Sequence, residues 1–103
     1  MSREGFINLY IIYNDLLTIN QKNYFKSYYF EDLSLSEIAE NYNVSKTLIG
    51  KTLKQVENKL IDLENSLKIN NILNKLETIK DRTNDKDVIT EIDSILNIYD
   101  VKE

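Results

Sequence analysis

The side chains whose types and spacing could do chemistry fall between residues 45 and 55. Ser45, Lys46, Thr47, Lys51, Lys54 and Gln55 sit on what reads as one helix. The chemistry they suit is grip on a polyanion, with no bond made or broken. Ser45 can cap the helix, and the first turn then presents amides to a phosphate. Lys46, Lys51 and Lys54 would contact phosphates, and Thr47 is best placed to reach a base edge, ahead of Gln55. The charge pattern agrees. Residues 45–60 carry Lys46, Lys51, Lys54 and Lys59 against Glu57 alone, for +3, between flanks of −3 and −4 in a chain of net charge −4. The competing reading of four lysines is a solvated helix face. The turn pattern that precedes them shifts the balance toward binding.

That preceding stretch reads as a short helix and a tight turn. Ser34-Leu-Ser-Glu37 matches a capping box, which starts the helix. Leu35, Ile38 and Ala39 form its inner face, and the small Ala39 permits close helix approach. Asn43 stands where such a turn needs a left-handed residue, a role for which Asn is second only to Gly. Val44 would plug the angle between the two helices. Leu48, Ile49 and Leu53 then read as the buried side of the second helix, leaving Lys46, Thr47, Gly50, Lys51 and Lys54 outward. Two helices of this kind make a helix-turn-helix, whose second helix enters the major groove of DNA.

Composition excludes most other chemistry. The 103 residues include no Cys and no His. A thiolate or imidazole metal site, a His general base and a Ser-His-Asp triad are therefore impossible. No glycine-rich phosphate loop is present, and the acids are scattered, so no enzyme and no cofactor is expected. No apolar run approaches a membrane span and the N-terminus does not read as a signal peptide, which makes the cytoplasm the expected compartment.

With no Pro and two Gly, the chain should be all-α. A first amphipathic helix spans about 6–17, with Phe6, Leu9, Tyr10, Tyr13, Leu16 and Leu17 at helical spacing. Thr18-Ile-Asn-Gln21 is a second capping box and opens a helix running to about residue 30. Its stripe of Tyr24, Phe25, Tyr28 and Tyr29 could stack RNA bases, but a chain this small needs those rings for its core. From Leu53 the apolar spacing becomes coiled-coil-like through Val56, Leu60, Leu63 and Leu67, then slips near residues 68–71 to Ile69, Ile72, Leu76 and Ile79. A kink or break is expected at the slip, a linker at Thr83-Asn84-Asp85, and a last amphipathic helix over 88–99. The apolar seam of this tail must be covered, either by the N-terminal bundle or by a second copy.

The run Asp15-Leu-Leu-Thr18, Gln21, Tyr24, Tyr28-Tyr29, Asp32, Ser34-Leu35, Glu37-Ile-Ala39 and Val44-Ser45 resembles the YlxM family of small bacterial helix-turn-helix proteins. That family is similar in turn to the promoter-reading region 4 of sigma factors. The likeness covers about residues 6–65. It implies a sigma region 4-like three- or four-helix domain with a long C-terminal helical extension, and no catalytic activity. It further implies a link to the signal recognition particle, inferred in the family from gene neighbours, and a regulatory DNA-binding role. The chain departs from the family at Ser45-Lys-Thr-Leu-Ile49, where relatives tend to have Ser-Arg-Gln-Ala-Val. Lys46 offers a point charge in place of a bidentate Arg, and Gly50 weakens the helix by about 1 kcal/mol relative to Ala. Both changes predict weaker sequence-specific readout.

The resulting expectation is a helix-turn-helix domain over 1–67 and a helical tail over 68–103, assembled as a homodimer. Its function is regulatory DNA binding of modest, salt-sensitive affinity, with RNA as a lesser partner. The alternative is an adaptor whose helix-turn-helix is only a scaffold. In that reading Asp62, Glu64, Glu77, Asp81, Asp85 and Asp87 of the tail dock a basic protein, such as the particle's GTPase or RNA polymerase.

Overall fold

The computed structural model describes residues 1–99, which form six helices and no strand. They are α1 (Arg3–Tyr13), α2 (Ile19–Tyr29), α3 (Leu35–Tyr42), α4 (Lys46–Leu67), α5 (Ile69–Arg82) and α6 (Lys86–Leu96). Short side-chain acceptors start most of them. Ser2, Thr18, Ser34, Ser45 and Asp85 each accept a hydrogen bond from an amide of the first turn. Both capping boxes close, with Gln21 and Glu37 each reaching back to the capping residue's own N–H.

Helix α4 is the spine. Its inward residues follow the helical repeat, and they serve two clusters at once. Val56 and Leu60 join Leu9, Tyr10, Tyr13, Phe25 and Tyr29 in one cluster, between α1 and α2. Ile49 and Leu53 join Tyr24, Ile38 and Ala39 in the other, beneath α3. Burying a side chain such as Ile49 contributes about 1.5–3 kcal/mol. The aromatic stripe of α2 goes to this interior. Phe25 stacks on Tyr10 at 4.4 Å and on Tyr29 at 4.2 Å between ring centroids, so these rings are spent on α1 and not on bases.

The ends of the elements depart from the expected periodicity. Asn14 donates from its side chain to the carbonyls of Tyr10 and Ile11, which ends α1 early. A 3-10 turn follows over Asn14–Leu16. Leu16 is therefore exposed, and only Leu17 re-enters the core. At the other end of α2, Arg3 donates to the carbonyls of Tyr28 and Tyr29 and lies over both rings. It satisfies carbonyls that the helix leaves open.

The expected break falls at Lys68, which adopts a left-handed conformation with φ 58° and ψ 27° between α4 and α5. Glu64 holds this corner. Its carboxylate accepts from the amides of Asn70 (3.0 Å) and Asn71 (3.1 Å) and from the Tyr13 hydroxyl (2.7 Å). The chain then folds back, with α5 against α1 and α6 against α5. Ile69 docks on the first cluster and sets the phase of α5. Leu73 and Leu76 consequently turn partly inward, while Leu67, Ile72 and Ile79 of the expected seam are exposed. Residues 83–85 form the linker, α6 follows, and a 3-10 turn covers Asn97–Tyr99. Among the described residues no helix is long and apolar enough to cross a membrane.

Candidate nucleic-acid interface

Helices α3 and α4 and the turn between them build the candidate site. Glu37 lies exposed at the start of α3, and its bond from the Ser34 amide holds its carboxyl below the usual range. Asn43 ends the helix at φ 55°, ψ 48°, the left-handed conformation the turn requires. Its amide donates to Glu40 O, and the Val44 amide donates to Ala39 O at 3.0 Å. Val44 tucks partly into the second cluster, as a plug should. Ser45 Oγ then accepts from the Leu48 amide at 3.0 Å and starts α4.

The phase of α4 is fixed by Ile49, Leu53, Val56 and Leu60, all buried. At 100° per residue, the opposite side carries Thr47, Lys51, Lys54 and Gln55, which are all exposed. Ser45 and Lys46 are exposed at the helix start. Among the described residues Lys46, Lys51 and Lys54 enter no ion pair and no side-chain hydrogen bond within the chain. Lys59, the fourth lysine of the basic segment, is different. It donates to the carbonyl of Leu16 and ties α4 to the turn after α1.

Two sequence-based assignments on this helix are corrected. Leu48 was expected to be buried but is 44 % exposed, because it lies 100° around the helix from Ile49. Gly50 was expected to face outward but is half-buried. A Cβ there would stand 3.8 Å from Leu35 Cδ1. With Tyr28, Leu35, Leu53, Lys54 and Glu57 it lines a shallow groove of about 170 Å³ between α4 and the elements before it. Sequence reasoning also passed over Asn58, exposed on the same side as Lys51 and Lys54. Counting helical phase from Ile49 and Leu53 finds both Leu48 and Asn58; residue type alone conceals them.

The turn geometry and this outward basic face are those of a helix-turn-helix. The family model for "Putative helix-turn-helix protein, YlxM / p13 like" matches residues 2–99. The chain belongs to this family, UPF0122. Relatives agree. It is 42 % identical to a UPF0122 protein of Mycoplasma capricolum over an alignment of 77 residues that covers 68 % of each chain. It is 39 % identical to one from Ureaplasma urealyticum over 89 residues, covering 86 % of this chain and 90 % of that one. A UPF0122 protein of Desulforamulus reducens is 49 % identical over 55 residues, 53 % of this chain and 47 % of the other. UPF0122 membership thus extends through α5 and α6, beyond the stretch whose residues first suggested it.

The structure also places the tail acids. Glu64 is committed to the α4–α5 corner, and Asp85 caps α6 by accepting from the amides of Asp87 and Val88. Asp62, Glu77, Asp81 and Asp87 are exposed. Two of the six acids, Glu64 and Asp85, are thus engaged within the chain.

Proposed function

We propose that this chain is a non-enzymatic DNA-binding regulator of the cytoplasm, with the N-terminal half of α4 as its recognition helix. One observation carries the reading: directly after a closed helix-turn-helix turn, Lys51 and Lys54, with Thr47 and Gln55, occupy the face of α4 opposite the core while Lys46 is exposed at its start, and among the described residues none of the three lysines has a partner. Lys46, Lys51 and Lys54 contact phosphates. The capped first turn at Ser45 offers its amides to another, Thr47 meets a base edge, and Gln55 lies one turn or more beyond. Three lysine–phosphate contacts per chain give modest affinity with a log–log salt slope of about 2–3, and the acidic remainder of the chain opposes nonspecific adhesion. Two copies joined as a homodimer would reach two half-sites and raise that affinity.

The sigma region 4-like character and the tie to the signal recognition particle are part of this proposal, and they rest on the family resemblance. The adaptor alternative is weaker, because Glu64 and Asp85 already serve the fold. The test is binding of the purified chain to random duplex DNA and to the particle's RNA across a low-to-moderate salt series. Salt-sensitive binding to the duplex is expected. Absence of duplex binding even at low salt would overturn the proposal and return the motif to a scaffold.

A further inference from the structure

Among the described residues, the hairpin of α5 and α6 has a side left uncovered. On α5, Asn70, Asn74 and Glu77 line the groove against α1. Ile72 and Ile79, seven residues apart, lie on the other side and are 53 % and 49 % exposed. Helix α6 returns antiparallel, and Asp93 meets Lys80 at 2.6 Å. Val88 and Ile95, again seven apart, lie on the flank of α6 away from Asp93 and are 36 % and 40 % exposed. Helical phase puts the two pairs on one face, turned away from α1. Such a two-helix apolar stripe is a surface that wants a cover.

The charges beside the stripe say what kind of cover. Lys75 and Arg82, seven apart, border it on α5. Asp87 and Glu91, four apart, border it on α6. All four are exposed, and among the described residues none enters an ion pair. The face is thus basic along one edge and acidic along the other, which makes it complementary to itself.

We propose that a second copy of this chain seats on this face, giving an antiparallel four-helix bundle about a two-fold axis parallel to the helices. That axis lays α5 of one copy over α6 of the other, and the isologous contact repeats every pairing twice. The heights agree. Arg82 and Asp87 lie at the linker end of the hairpin, and Lys75 and Glu91 lie one to two turns further in. Each basic side chain therefore meets an acidic one across the interface, while the Ile and Val stripes close on each other. The inference rests on this face alone and stands or falls separately from DNA binding.

Light scattering and sedimentation across a concentration series test it. The parent chain runs as a dimer. Lys75→Glu with Arg82→Glu in one chain, and Asp87→Lys with Glu91→Lys in another, each raise the dissociation constant at least about tenfold. Mixing the two variants restores a mixed dimer, because opposite charges again face each other. Circular dichroism checks that the helices persist, which exposed positions should allow. The chain has no cysteine, so Arg82→Cys and Asp87→Cys on separate chains give a second readout, a disulfide formed only in the mixture. A monomeric parent, a dimer that both charge variants retain, or a mixture that stays monomeric and uncrosslinked overturns the proposal.

Discussion

At the scale of single residues, the contrast between Lys51 and Lys59 is instructive. Both belong to the same basic segment, yet Lys51 faces solvent and Lys59 donates to a backbone carbonyl. Composition cannot separate them; helical phase and the neighbouring turn do. The same distinction applies to Thr47, exposed on the side of α4 opposite the core and proposed above to meet a base edge. Thr47→Ala is expected to reduce the preference between binding sites about fivefold, the worth of a hydroxyl contact of about 1 kcal/mol, while leaving nonspecific affinity nearly unchanged. Competition between specific and random duplexes measures this. An unchanged preference would remove Thr47 from readout. Asn43 was legible from sequence because few residues tolerate a left-handed turn. Leu48 was not, because an apolar type says nothing about which side of a helix it occupies.

At the scale of elements, the α4–α5 corner shows what local patterns leave out. The slip in the apolar repeat locates the break to within a residue or two, at Lys68. It does not reveal that Glu64 reaches past the break to cap α5, nor that Tyr13 completes the arrangement from α1. Both are long-range contacts that no local pattern encodes, which is why Glu64 read as a docking acid. Glu64→Ala frees two amides at the start of α5 and the Tyr13 hydroxyl. It is expected to cost about 1–3 kcal/mol. Thermal unfolding checks this, with a fall of about 4–8 °C for each kcal/mol in a chain of this size. An unchanged melting temperature would show that the corner is held by packing alone. The capping boxes at Thr18 and Ser34 were legible because each is closed within four residues.

At the scale of the molecule, the fold joins an internal spine to an outward basic face on one helix. Burial and its bond to Glu64 push the Tyr13 hydroxyl up to about 12, and burial with its bond to Glu57 raises Tyr29 as well. A tyrosine whose folded pKa exceeds its unfolded value, about 10, contributes stability that is complete below pH 10. That stability is lost as pH rises toward 12. Denaturant unfolding should therefore show a fall in stability over this alkaline window. In Tyr13→Phe the fall is shallower, and an identical pH profile would contradict the assignment. The all-α class and the order of six helices were legible from capping residues and apolar spacing. The fold-back of the tail was not, because an apolar seam records that it must be covered and not by what. The most direct test of the central claim is duplex DNA binding by the parent and by a variant with Lys46, Lys51 and Lys54 all changed to Ala, over a salt titration. Loss of three phosphate contacts per chain predicts weaker binding at every salt and a log–log salt slope reduced by about 2–3 for each chain engaged. A variant that binds as tightly as the parent, with the same slope, would contradict the claim that α4 is the DNA-binding element.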